Sequence, residues 1–285
     1  VKKGQKNQAP AVVFIRKGVF VIIFCVTILC ITISIIFATP YFGSQRYYLE
    51  QVMGETRNNI NFDYKTIETE HFTIKYLPKA ESKARLVAFY AESIYEPVAG
   101  IFKMKSPRKT MMVLKEYDQN RLDQLMTGYN CQGVIYIYDD PRERCPLDIT
   151  ISHELSHAML RYKYDGGYFI PNWLDEGMAV NIETSITGVN KANSEIVYPI
   201  DGLSAGLKNT PNATYAQCSA LVGYIIETYG EEALFQFLSQ LTYDRKALNE
   251  ALMHTFHTDV AKFEQDSQQY FRENKEIRGV FKVLP

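Results

Sequence analysis

Two histidines four residues apart bracket a glutamate in the run His153-Glu154-Leu155-Ser156-His157. On a helix, residues four apart share a face, so both imidazoles can point at one metal ion. Glu154 stands about 100° round the axis from His153, where its carboxylate can take a proton from a water that the metal activates. A second glutamate, Glu176, follows the eighteen residues 158–175. That length lets the chain leave one helix, turn and return on another. Two neutral nitrogens from His153 and His157 and one carboxylate from Glu176 make a ligand set for Zn2+. The fourth tetrahedral position stays open, which is the catalytic arrangement rather than the structural one.

The flanking residues have to hold that geometry. Pro146 suits a first helical position, and Leu147, Ile151, Leu155 and Ala158 then form an apolar stripe. His153 lies roughly 200° away from Ile151, so one face is built for a core and the other carries the ligands. The bland alternative is an exposed polar helix face. A second helix opens at Pro171 and sets Trp173, Leu174, Ala179 and Ile182 for packing. Only five histidines occur in the chain, and two of them fall in this frame.

With these residues the chain resembles the gluzincin metallopeptidases, whose pattern is His-Glu-x-x-His, eighteen residues, then Glu. It is most similar to the compact peptidase MA-like domains. The resemblance runs over residues 66–275 and includes Glu70-His71-Phe72-Thr73-Ile74, Trp173-Leu174-Asp175-Glu176-Gly177 and the helix from Tyr215 to Tyr224. It implies an α+β, zincin-like catalytic domain: a small twisted sheet, two zinc-binding helices, then a helical subdomain. The implied activity is hydrolysis of a polypeptide substrate, with Glu154 as general base and an endopeptidase mode. Tyr215 resembles the position from which such enzymes bring a tyrosine over the metal, with Tyr198 as the next candidate for an oxyanion donor. The strand Gly133–Tyr138, just before the zinc helix, is expected at the cleft edge, where an extended substrate can pair with it. Asp139 and Asp140 after it are either solvated turn residues or a bias toward basic groups. Two departures stand out. Thermolysin-like enzymes carry an aspartate four residues after the ligand glutamate to support a histidine; here that position is Val180, which leaves the partner unassigned. The Gly-x-Met-Glu-Asn segment of related aminopeptidases is absent, which argues against a dedicated aminopeptidase.

Composition agrees with one sizeable catalytic domain. The chain has 285 residues, 46% hydrophobic, with twenty tyrosines and sixteen phenylalanines, which suits an ordered body. A net charge of −1 gives no pull toward nucleic acid. The oligomeric state is not legible. Between Lys17 and Arg46 no residue is charged, and about 20 apolar residues span a bilayer as a helix. Lys2, Lys3, Lys6, Arg16 and Lys17 precede that run, which keeps the amino terminus cytoplasmic and exports the rest. The expectation is a single-pass cell-membrane protein. A cleaved signal peptide, cut near Phe37-Ala38-Thr39-Pro40, competes with it, and a buried core helix is the third option.

The expected organisation is a cytoplasmic segment 1–17, a transmembrane helix 18–39, a stalk 40–65, the catalytic domain 66–275 and a tail 276–285. Within the domain come an α/β part (66–145), the zinc helices (146–186), a loop (187–210) and a helical part (211–275). Strands are expected at 71–77, 110–115 and 133–138. Helices are expected at 80–102, 119–126, 213–229, 231–241, 245–254 and 258–272. His254 and His257 read as surface residues. Cys131 and Cys145 bracket the 133–138 strand and could bridge, worth about 3 kcal/mol in a chain-entropy account, leaving Cys218 unpaired. Two functional classes remain: a membrane-anchored zinc metallopeptidase, or an exported zincin-like binding domain without turnover. Retention of all four of His153, Glu154, His157 and Glu176 favours the enzyme.

Overall fold

The computed structural model describes residues 63–283, apart from 107, 118–126, 132, 143–144, 165–169, 190, 193–195, 204–205, 208–210, 243–245 and 275. The expected membrane span at 18–39, nearly all of the stalk and the short helix at 119–126 therefore lie outside the described residues. Among those described, no helix is long and apolar enough to cross a membrane.

Alternating apolar side chains build the sheet. In β1 (Lys65–Glu68), β2 (Phe72–Tyr76), β3 (Thr110–Glu116), β4 (Gly128–Cys131) and β5 (Val134–Asp139), successive side chains point to opposite faces. Phe72, Ile74, Met112, Leu114, Ile135 and Ile137 form the inner face and are buried. The strand order is β1-β2-β3-β5-β4. β2, β3 and β5 run parallel, while β1 and β4 are antiparallel to their neighbours. Helix α1 (Glu81–Phe102) links β2 to β3 and buries Ala84, Val87, Ala91, Ile94 and Val98 in the same core.

This order corrects one expectation. β5, the strand before the zinc helix, is interior, flanked by β3 on one side and β4 on the other. The edge belongs to β4, a four-residue strand that folds back on β5 through the turn at Gly133, whose φ is 80°. The expected Cys131–Cys145 bridge is also not formed; both residues, and Cys218, are thiols. Cys131 pairs with Val134 at the start of β5, whereas Cys145 follows the far end of that strand. Cys131 follows Asn130, which meets Glu154 and Arg161 well along the next helix, whereas Cys145 precedes the start of that helix at Leu147.

The two helices after the sheet are α2 (Leu147–Lys163) and α3 (Asn172–Thr187). Each starts one residue later than the prolines alone suggest, because Pro146 and Pro171 act as caps. The Pro146 carbonyl accepts from Thr150 N and the Pro171 carbonyl from Asp175 N, both at 3.1 Å. Ile151, Leu155 and Ala158 of α2 are fully buried, as their spacing requires. The helical part follows as α4 (Pro211–Tyr229), α5 (Glu231–Thr242), α6 (Leu248–Phe256) and α7 (Val260–Glu273). α3 and α4 cross at Gly177. A Cβ there would sit 2.3 Å from the Cys218 carbonyl oxygen, so only glycine permits this approach.

The segment expected as a tail is fastened to α3. A two-residue strand β6 (Lys191–Ala192) pairs antiparallel with β7 (Glu276–Ile277). Val280 N donates to Asn181 Oδ1 at 3.0 Å and Phe281 N to Ser185 Oγ at 3.2 Å, while Asn181 Nδ2 donates to the Arg278 carbonyl at 3.5 Å. Phe281 itself is buried in the main core.

Candidate active site

One face of α2 and the first two turns of α3 bring together His153, His157 and Glu176, as the spacing predicts. His157 Nε2 lies 3.2 Å from His153 Nε2, and Glu176 Oε2 lies 3.4 Å from each of them. The three atoms thus form a nearly equilateral triangle. A tetrahedral ion with bonds of about 2.0–2.1 Å separates neighbouring ligand atoms by roughly 3.3–3.4 Å, so the triangle has the size zinc requires. Glu176 Oε2 is buried and accepts no hydrogen bond among the described residues. An anionic oxygen left in that condition is costly unless a cation meets it. The donor set therefore fits a metal.

The other ring nitrogens are held by carboxylates that sequence reasoning did not assign. His153 Nδ1 lies 2.7 Å from Glu183 Oε2, and His157 Nδ1 lies 2.5 Å from Asp175 Oδ1. Each carboxylate takes an Nδ1–H and leaves the Nε2 lone pair for the metal, which fixes both tautomer and ring direction. For Glu183 a signal existed: it stands seven residues after Glu176, two turns on, and so shares its face. Asp175 gave none, since its neighbour Glu176 was already assigned and adjacent residues point about 100° apart.

These contacts set the charges of the metal-free site. Burial opposes a charged His153, but Glu176 and Glu183 outweigh it and hold its pKa well above the usual imidazole value. Burial likewise opposes a charged His157, yet Asp175 and Glu176 push it up to about 9. Glu176 is held far below the carboxylate range because the two imidazoles outweigh its burial. Asp175 is lowered in the same way, burial yielding to His157 and Arg161. Without metal, the surrounding carboxylates favour the protonated form of each ring, and a binding ion has to compete with those protons.

Glu154 lies under the edge strand. It is 6% exposed, and burial raises its pKa, with His153 and His157 partly offsetting that. Gly128 of β4 passes directly over it. A Cβ at Gly128 would meet Thr150 Cγ2 at 2.8 Å, the Tyr136 carbonyl at 3.0 Å and Glu154 Cγ at 3.3 Å. Glycine at this point lets the strand come down onto the face of α2 that carries Glu154, so this face is covered and not the exposed polar one of the bland alternative.

The remaining expectations divide. Tyr215, at the start of α4, is brought to the site: its ring centre is 6.2 Å from that of His153, with the planes near perpendicular. Tyr198 instead fastens the loop to α4. Its backbone N donates to Gln217 Oε1 at 2.9 Å and its carbonyl accepts from Gln217 Nε2 at 2.7 Å. His254 and His257 are exposed and lie outside the cluster. Asp140 is not a solvated turn residue. It is buried, and its Oδ1 accepts from the backbone N and Nε of Arg142 at 3.0 and 3.1 Å.

Comparison with known proteins agrees with this site. Residues 133–273 match the sequence model of the Peptidase MA superfamily, a span that holds β5, both metal helices and α4–α7. This part of the chain is a peptidase MA-like domain. No curated protein matches the chain. Among solved structures, a two-domain M1 zinc metallopeptidase mutant bound to L-arginine is 14% identical, with a TM-score of 0.36 over 78% of this chain and 53% of its own. An M1 zinc metallopeptidase mutant from Deinococcus radiodurans, bound to a Tyr-Ser-Ala substrate, is 13% identical with a TM-score of 0.37 over the same shares. The chain spans about half the length of these structures.

Proposed function

We propose that this chain is a zinc metallopeptidase of gluzincin type that hydrolyses internal bonds of extended polypeptides. The observation that carries the proposal is the triangle of His153 Nε2, His157 Nε2 and Glu176 Oε2, with Glu154 on the same helix. Zinc, when bound, supplies a Lewis acid for the scissile carbonyl and lowers the pKa of water at the site. The Glu154 carboxylate takes the proton from the attacking water and returns it to the departing amine. Its burial raises its basicity toward neutral pH, which suits that exchange. Asp175 and Glu183 keep the imidazoles in the tautomer that presents Nε2. Tyr215 is the donor assigned to the oxyanion of the tetrahedral intermediate. β4, the strand at the edge of the sheet beside Glu154, is where an extended substrate would lie.

The uncharged run from Gly18 to Gln45, preceded by five basic residues, supports a further part of the proposal: a single-pass anchor with the amino terminus in the cytoplasm and the catalytic domain outside. Protease added to intact cells should then digest the domain. Protection until lysis, or recovery of the domain in soluble form without the first forty residues, would overturn the anchor.

The central test is metal content and cleavage of a diverse peptide library by the full chain. One zinc per chain and internal cleavage are expected, with His157→Ala losing the metal. Full zinc occupancy in His157→Ala would overturn the ligand assignment. Zinc bound by the wild-type chain with no cleavage of any peptide would point to a binding domain without turnover.

A further inference from the structure

The contacts that hold His157 do not stop at Asp175. Asp175 Oδ1 lies 2.5 Å from His157 Nδ1, and its second oxygen accepts from Arg161 Nη2 at 3.3 Å. Arg161 is one turn beyond His157 on α2, so it reaches the same side of the helix. Its other amino group, Nη1, donates to Asn130 Oδ1 at 3.3 Å. Asn130 belongs to the edge strand β4, and the same amide oxygen accepts from Gly133 N at 3.2 Å inside the hairpin turn. Asn130 Nδ2 also lies 3.5 Å from the Glu154 carbonyl, so its side chain points down onto α2. A single guanidinium therefore touches two things at once: the carboxylate that holds His157, and the edge strand of the sheet.

A planar guanidinium has donors fixed in a fork and can hold two acceptors in set directions, whereas an ammonium is a point charge on a flexible stem. We propose that Arg161 is a positioning residue that couples the edge strand, through Asn130, to metal ligand His157, through Asp175. This inference rests on the zinc-peptidase reading for its catalytic meaning. Arg161 stands outside the cluster of His153, His157 and Glu176. Its role is to stop the Asp175 carboxylate from turning away from His157 and to keep β4 at the height above α2 that the Gly128 contact allows. A substrate strand paired to β4 is thereby registered against the ligand triangle rather than against the sheet alone.

The experiment compares the full chain with Arg161→Gln, Arg161→Lys, Asn130→Ala, Asp175→Asn and the double variant R161Q/D175N. Zinc affinity is measured against a competing chelator, and kcat and KM with a peptide cleaved at an internal bond. Arg161→Gln should weaken zinc by about ten-fold, the lower end of what outer partners of a ligand are worth, and should also raise KM. Asn130→Ala should raise KM while leaving zinc affinity unchanged. Arg161→Lys should recover one of the two effects but not both. R161Q/D175N should bind zinc no more weakly than Asp175→Asn alone, because both changes cut the same path.

Wild-type zinc affinity in Arg161→Gln, additive losses in the double variant, or full recovery of both effects by lysine would each overturn the coupling. An unchanged KM in Asn130→Ala would remove the strand from it. If Arg161→Gln fails to fold, Arg161→Lys and the Asn130→Ala split carry the test. One readout stands apart from catalysis. In metal-free protein the His157 Nδ1–H proton, followed by nitrogen-edited spectra, should exchange with water about ten-fold faster in Arg161→Gln. If the wild-type chain takes no zinc, the peptidase reading fails, while this exchange rate still decides whether Arg161 holds Asp175 against His157.

Discussion

The α2–α3 pair and the α5–α7 layer are buried to a similar degree but filled with opposite chemistry. Beside their apolar faces, α2 and α3 bury the polar side chains Ser152, Glu154, Ser156, His157, Asn181, Glu183 and Thr184. The α5–α7 layer buries Leu234, Phe237, Leu238, Leu241, Leu252, Phe256 and Phe263. The Phe237 and Phe256 rings are tilted against each other with centres 5.1 Å apart, and Phe256 and Phe263 lie near parallel at 6.3 Å. Burying charge is expensive even when it is paired, whereas burying aromatic surface is the main favourable term in folding. The first region is thus kept for what it can hold, and the second supplies the stability that the first consumes. Changes in one should leave the other's property intact.

The largest expected effect is on turnover in the polar region. Glu154→Ala should keep one zinc per chain but lower kcat by about 10²–10⁴-fold, the usual worth of general acid–base work. Near-normal cleavage by that variant would sink the assignment of the base. In the apolar layer, Phe237→Ala should cost about 3–5 kcal/mol of stability with zinc affinity unchanged, read from denaturant titration and chelator competition. If zinc affinity fell in step with stability, the two regions would not be separable as argued. Glu183→Gln should weaken zinc by about 10–100-fold, read by chelator competition. A variant with unaltered zinc affinity would mean that Glu183 does not orient His153.

The smallest effect is on the pH dependence of the metal-free protein. His157 has a folded pKa of about 9 against an ordinary 6.5. It therefore contributes stability that is full below pH 6.5 and is lost as pH rises through 9. Glu176 and Asp175 are lowered from 4.5 and 3.8, so they contribute above those values and lose that contribution as pH falls. The metal-free chain should melt highest between roughly pH 4.5 and 6.5 and decline on both sides. With zinc bound, both rings are neutral ligands and the alkaline decline should vanish. Equal alkaline declines with and without zinc, in melts followed by circular dichroism, would contradict this account of the triangle.

The meeting of His153, His157 and Glu176 was legible because a helix imposes a strict period: His153 and His157 had to share a face, and the stripe Ile151, Leu155 and Ala158 had to lie on the other. The helices from α4 onward were legible for the same reason, to within a few residues at their ends. What escaped was set by tertiary contact. β4 has four residues, Gly-Tyr-Asn-Cys, too few to show alternation, and it exists because it folds back on β5 over Glu154. The edge position was therefore given to β5, because in zincins, which the chain resembles, the strand before the zinc helix lies at the cleft edge. Glu183 was within reach of periodic reasoning, yet attention to the position four residues after Glu176 stopped at Val180. The link from Arg161 to Asn130 joins a helix to a strand 31 residues away, a relation no local pattern encodes.

The carboxyl-terminal segment gives α3 an unusual mechanical position. Residues 278–281 are bonded to Asn181 and Ser185, and Glu183, which orients His153, lies between those two on the same helix. A pulling force on the carboxyl end is thus borne first by the flank of the metal helix, in series with the grip on one ligand. An optical-trap measurement pulling from that end should register loss of zinc before the sheet opens; the reverse order would mean that the load bypasses α3.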